Sequence, residues 1–230
     1  MKNSLIALFT IALLANCTPE TSKNTMTVSG SIKGLKKGTL FLQHIPDSTL
    51  IAIDSIVLDG SGDFSFRVPL ESPEVFYLYL DKKDFNDIND RITFFGEVGS
   101  VNIQTKWNSF DIDPEITGSK SQEKLIEYRG MMSKFNIEEM RIMEAAFKAS
   151  SEQNNQALDS LQKASDRNTL RSYLFALNYA MNNADSYVAP YVAVTDVSDA
   201  NPKFLDSIYN KLSPEVAASK YGKLLRALVD

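Results

Sequence analysis

The chain has 230 residues, a formal net charge of −5 and a single cysteine. The acidic balance excludes nucleic acid as an expected partner and argues against a basic membrane-binding surface. One cysteine excludes an internal disulfide, a thiol pair for redox chemistry and a cysteine-based zinc site.

The chain opens with MKNSLIALFTIALLANC. Lys2 supplies a short positive start, and Leu5 to Ala15 is an apolar run of eleven residues. That length falls within the ~7–15 residues of a secretory signal core and short of the ~20 needed to span a bilayer. Leu14-Ala15-Asn16-Cys17 resembles a lipobox, the site read by bacterial lipoprotein signal peptidase, with Asn16 in place of the usual small residue. The resemblance implies a diacylglycerol on the Cys17 thiol, cleavage before Cys17 and acylation of the new amine. Two or more acyl chains give stable anchoring where one is marginal. The expected order is therefore a signal peptide over 1–16 and a lipidated polar tether over 17–26, able to reach roughly 30 Å when extended. About 214 residues would remain after cleavage. The lone thiol would then be acylated, and the protein would be exported and held in the cell envelope. Thr18 stands where an inner-membrane retention aspartate would stand, so the outer membrane is the expected destination.

From 27 to 118 the pattern is that of short strands. Thr27 to Ile32 alternates, Thr39 to Leu42 resumes after a Gly34–Gly38 turn, and Leu50 to Leu58 is rich in β-branched residues. Asp59-Gly60-Ser61-Gly62-Asp63 reads as a hairpin turn before the alternating Phe64 to Val68. Further strands are predicted at Val75 to Leu80, Arg91 to Phe95 and Ser100 to Thr105. This spacing predicts an antiparallel β-sandwich or open barrel.

From 119 to 230 the pattern is helical, giving an α+β chain with its helices at the C-terminal end. Leu125, Tyr128, Met132, Phe135, Met140, Met143 and Phe147 recur at near-helical spacing and predict one apolar core stripe. Met131, Met132, Met140 and Met143 read as helix packing, with a soft partner-binding surface as the alternative. A second helix is expected over Leu158 to Met181 and a shorter one over Tyr187 to Val194. Asn201-Pro202 and Ser213-Pro214 look like N-caps with proline in the first turn, opening helices at Lys203–Lys211 and Glu215–Leu228.

The ordered set Val28 to Ile32, Gly38 to Leu42, Asp54 to Leu58, Gly62 to Phe66, Phe94 to Gly99 and Ile116 to Ser119 resembles a domain of unknown function. In bacterial lipoproteins that domain usually precedes a thioredoxin-like domain of the AhpC/TSA type. The resemblance covers roughly Met26 to Gln122. Its thiol-disulfide activity does not carry over, because no residue here matches the Cys-x-x-Cys pair.

No catalytic constellation stands out. His44 is the only histidine and reads as a strand-end residue, without a serine elbow or cysteine partner. Asp84, Asn86, Asp87 and Asp90 offer oxygen ligands for calcium, but Ile88 and Arg91 fall where a regular calcium loop wants an oxygen ligand and a glycine. The plainer reading is a long solvated hairpin loop. Glu97, between two strand patterns, reads as a turn or structural hydrogen-bonding residue. Tyr77, Tyr79 and Trp107 are a possible aromatic platform for sugar, weighed against core packing. Asp47-Ser48-Thr49, Asp54-Ser55-Ile56, Asp159-Ser160-Leu161 and Asp206-Ser207-Ile208 resemble O-glycosylation acceptors, of which only an exposed copy is usable.

The expected function is a non-enzymatic binding or interaction module without a cofactor, anchored through lipid on Cys17. Its expected partners are the membrane and possible envelope proteins. The alternatives are an accessory to a separate thioredoxin-like oxidoreductase and a glycan-binding surface lipoprotein.

Overall fold

The computed structural model describes residues 24–82 and 90–230. The signal peptide, most of the tether, Cys17, and the calcium candidates Asp84, Asn86 and Asp87 lie outside the described residues. Of the tether, Thr25 and Met26 already belong to the first strand.

The strands are β1 (Thr25–Lys33), β2 (Lys37–His44), β3 (Ile51–Asp59), β4 (Asp63–Pro69), β5 (Glu74–Asp81), β6 (Asp90–Gly96), β7 (Gly99–Lys106) and β8 (Glu115–Thr117). They form two four-stranded sheets, β4-β1-β7-β8 and β3-β2-β5-β6. This is a sandwich rather than an open barrel. Its pairs are antiparallel except β1 with β7, which run parallel with Val28 opposite Val101. Alternation sets the core: Phe64, Phe66 and Val68 from one sheet meet Leu40, Leu42, Leu78 and Phe94 from the other, all buried.

The Gly60-Ser61-Gly62 turn is not a hairpin. β3 and β4 lie in different sheets, so this turn is an arch between them. Gly60 takes φ +87°, and Asp63 accepts a hydrogen bond from the Ser61 hydroxyl (2.8 Å). Turn chemistry of this kind bends a chain but does not dictate which sheet receives the next strand. A 3-10 turn at Trp107–Ser109 and the three-residue β8 are additions to the sequence expectation.

Gly118 (φ +93°) makes the corner between β8 and the helices; a Cβ there would sit 2.1 Å from the Ser100 carbonyl oxygen. The helices are α1 (Lys120–Ser151), α2 (Asn155–Asn182), α3 (Val188–Asp196), α4 (Pro202–Tyr209), α5 (Pro214–Ala217) and α6 (Lys220–Val229). The single helix expected over Glu215–Leu228 is two, because Ser219 caps a new helix by accepting the Gly222 N–H (3.2 Å). The helices form a third layer. Their core includes Val75 and Phe95 from the outer face of the β3-β2-β5-β6 sheet, with Leu125, Tyr128, Val192, Leu205, Tyr221 and Leu225.

α1 and α2 form a long hairpin, α1 alone being about 48 Å long at the helical rise. The apolar stripe expected on α1 holds only in its first half. Leu125 and Tyr128 are buried and Met132 packs on the helical core. Met140, Met143 and Phe147 are 69%, 64% and 80% exposed, which corrects their assignment to the core stripe. The buried positions there are Ile142 and Ala149. Beside them Glu139 is half-buried and accepts hydrogen bonds from Ser165 (2.5 Å) and Asn168 (2.9 Å) of α2. Those bonds hold its carboxyl below the ordinary carboxylate range.

Candidate binding cleft where the sandwich meets the helices

Three charged or titratable side chains distant in sequence meet at this seam. His44 ends β2 and lies opposite Phe76 of β5. Its ring stacks on Phe76 at 5.7 Å and 5°. Glu74 opens β5 and Lys220 opens α6. The Lys220 ammonium pairs with Glu74 Oε2 and donates to the Ile45 carbonyl. His44 Nδ1 stands 3.6 Å from Glu74 Oε1, too far for a hydrogen bond. All three side chains are one-fifth exposed or less. Solvent is therefore largely excluded, and Glu74 is neutralised by an ion pair across the seam.

The backbone around the triad is pinned from both sides. Ser72 accepts the Lys220 N–H (3.1 Å), and Tyr221 Oη accepts the Val75 N–H (3.2 Å). Burial pushes the Tyr221 hydroxyl far above its ordinary range, so it stays neutral.

The triad lines a cleft of about 860 Å³, within the ~300–1,000 Å³ typical of ligand pockets. The cleft reaches between the free edges of the two sheets, with Ile53 from β3 and Val68 from β4 on its sides, and α6 adds Lys223 and Leu224. Phe76 and Val68 are buried, whereas Leu224 is 45% exposed. The lining is thus mixed: His44 lies beside the apolar Phe76, and the charged groups are Lys220 and Lys223 with Asp47, Glu71 and Glu74.

A smaller cavity of about 500 Å³ lies on the other side of the segment joining β4 to β5, lined by Glu97, Tyr187 and Glu215 among others. Two of its carboxylates are occupied. Glu97 caps α1, accepting from Lys120 N (2.6 Å), Ser121 N (3.3 Å) and Ser121 Oγ (2.8 Å). Tyr187 donates to Glu215 (2.7 Å). Burial first, then Glu215, push the Tyr187 hydroxyl up to about 12. Next to Glu97, Gln122 accepts the Phe95 N–H (2.7 Å) while its own N–H bonds to Ser119. This corner fastens α1 to the end of β6.

Tyr77 and Tyr79 share the outer face of β5, as their spacing predicts. Arg91 lies over both rings, at 5.8 and 5.7 Å, and Tyr79 stacks on Phe41 at 5.9 Å. Tyr77 packs against the helical core. Trp107 follows β7 in the other sheet and faces the Lys82 ammonium at 5.4 Å. No ring contact among the described residues joins Trp107 to the tyrosine pair. The backbone of Asp90 opens β6. Among the described residues, no group of three or more His, Cys, Asp or Glu is placed to hold a metal ion, and no helix is long and apolar enough to cross a membrane. In each of the four Asp-Ser motifs the serine is exposed.

The lone histidine was visible in the sequence, but its partners were not. Glu74 and Lys220 are ordinary charged residues whose only signal is their meeting in three dimensions.

No curated protein matches the chain. Residues 26–125 match a family model described as a domain of unknown function (DUF4369), a stretch that covers the whole sandwich and the first turns of α1, so that His44 and Glu74 fall inside the matched domain and Lys220 outside it.

Proposed function

We propose that this chain is an exported lipoprotein, anchored in the cell envelope through lipid on Cys17, whose folded part is a non-enzymatic binding module with its ligand site in the seam cleft. The observation that carries the binding reading is the cleft itself. It is large, half apolar, and bordered by a desolvated His44–Glu74–Lys220 group on one wall. The signal-like start and the lipobox resemblance support the anchor, and the outer membrane is the proposed destination. Native mass spectrometry of the purified protein is expected to find a small molecule that the wild type retains and Leu224→Asp loses. Turnover of a substrate, abolished by changing one polar cluster, would overturn the reading. For the anchor, Cys17→Ala is expected to release the protein from membranes; a variant still membrane-bound after a high-salt wash sinks that part.

A second reading is supported by the exposed Met140, Met143 and Phe147 on α1. Here the distal hairpin would hold a protein partner, as an accessory to a separate thioredoxin-like protein would require. Crosslinking of envelope extract is then expected to capture such a protein with the wild type and not with a triple serine variant at these positions. The glycan reading has weaker support, since Tyr77 packs against the helical core.

A further inference from the structure

We infer that the outer side of α1 is a dimerisation surface, and that its occupant is α1 of a second copy of this chain, laid antiparallel across it. The inference is independent of the seam cleft and gives the distal hairpin a different occupant from the accessory reading.

α1 turns one side to α2, where Asn168 bonds the Phe135 carbonyl and Glu139. On the other side Gly130, Ile137 and Glu144 recur every seven residues, and so do Ser133, Met140 and Phe147. Interleaved, they step along one face by threes and fours, the seam by which one helix packs on another. All six are exposed, and Phe147 is the most exposed of the three large apolar residues. Gly130 has no use within the chain. It lies inside a 32-residue helix, where glycine weakens the helix relative to alanine. Its φ is not positive, and a Cβ there would meet nothing within 4 Å. It leaves a notch in the seam.

Phe147 supplies the matching projection. With Phe147 of one copy over Gly130 of the other, antiparallel α1 helices bring Met140 opposite Ile137 of the second copy, and the two-fold axis repeats both contacts. Charge agrees with this register. Within about 3 Å of level at the helical rise, Lys134 meets Glu144 of the second copy, and Lys148 meets Glu127, which its own Lys124 also reaches at 3.0 Å. The nearest like charges are Lys134 and Arg141 of the second copy, and Arg141 is beside its own Glu138 at 3.8 Å. A parallel pair would set Glu144 against Glu144 and leave both notches empty. Knob, notch and opposite charges thus stand on one helix at reciprocal positions, as an isologous contact requires and a foreign partner does not. The overlap from Gly130 to Phe147 is about 26 Å long, short for an interface, so the dimer is reversible, with a Kd on the order of micromolar.

The test is sedimentation velocity of the full chain carrying Cys17→Ala, which prevents an intermolecular disulfide, over ~1–200 µM. A reversible monomer–dimer equilibrium is expected. Phe147→Ser and Gly130→Gln are each expected to weaken it by about tenfold or more. Glutamine is the better helix former, so Gly130→Gln should raise the melting temperature of the monomer while it weakens the dimer, which a purely structural role for the glycine would not do. Glu144→Lys is expected to weaken association several-fold, and adding Lys134→Glu is expected to restore it. All four positions are exposed, so none of these substitutions threatens the fold. A chain that stays monomeric throughout, or a dimer indifferent to Phe147→Ser and Gly130→Gln, would overturn the proposal. Failure of the double charge swap to recover the dimer would overturn the antiparallel register. If the chain does not self-associate and the stripe instead captures another envelope protein, the second copy is the wrong occupant and the accessory reading gains. In each case the cleft reading stands or falls by its own retained-ligand experiment.

Discussion

In the sandwich, the inward side of each long strand meets a facing sheet: Leu40, Leu42, Leu78, Val101 and Ile103 are completely buried. In the α1–α2 hairpin, two long helices meet a body only over their near ends. Beyond that, each helix has only the other to pack on, and large apolar groups remain in water. A sheet in a sandwich has one whole face covered by its partner. A helix pair covers only a stripe of each helix, so the same apolar content leaves surplus outside. The sandwich should therefore carry most of the stability, and the hairpin should tolerate change along much of its surface.

The largest expected effect is at Phe94, completely buried between the sheets and stacked on Phe76 at 5.8 Å. Phe94→Ala is expected to cost about 3–5 kcal/mol by urea unfolding, the range for a fully buried aromatic. A loss below ~1 kcal/mol would mean that the sandwich core is not the stabilising unit.

The next effect separates the layers by pH. In the helical layer, burial raises the hydroxyls of Tyr128 and Tyr221 far above their ordinary value, and those of Tyr179 and Tyr187 to about 12. A folded-state value above the unfolded one means that the unfolded chain releases its proton first. The contribution is complete below pH 10.0, the ordinary value, and is lost as pH rises toward 12. Helical circular dichroism should therefore melt at alkaline pH, with a midpoint that moves upward in Tyr187→Phe. A midpoint unmoved by that substitution would break the link.

Much of the sandwich could be read from period-two alternation, because Phe64-Ser65-Phe66-Arg67-Val68 admits one inward face. What alternation leaves open is sheet membership, which is why the Gly60–Gly62 arch read as a hairpin. The helical stripe misled for a different reason. Met140, Met143 and Phe147 satisfy helical spacing, but so do Glu139, Ile142, Ala146 and Ala149, and the latter set faces α2. A polar group on α2 decides between them, since Asn168 and Ser165 need the Glu139 carboxylate opposite. The cleft was the least legible feature, because Lys220 reaches His44 and Glu74 only after the whole chain has folded.

That polar group supplies the third test. Asn168 is 6% exposed and donates to both the Phe135 carbonyl (3.0 Å) and Glu139 (2.9 Å). Asn168→Ala leaves two acceptors short of a donor and is expected to cost about 1–3 kcal/mol. Hydrogen exchange should show the loss concentrated in the hairpin, with the sandwich amides unchanged. Uniform loss across both layers would count against the independence of the distal hairpin.

The smallest expected effect is the most direct check of which face of α1 is covered. Phe147 is 80% exposed, and Ile142, five residues earlier, is 9% exposed. Phe147→Ser is expected to change stability by no more than ~0.5 kcal/mol, while Ile142→Ala is expected to cost about 2–5 kcal/mol. The ranking runs against hydrophobic bulk, since phenylalanine is the larger side chain, so only the helix orientation predicts it. If Phe147→Ser instead costs more than ~1 kcal/mol in the isolated chain, the distal stripe is covered by this chain or by a second copy. A concentration series then separates the two, because only self-association makes the loss depend on protein concentration.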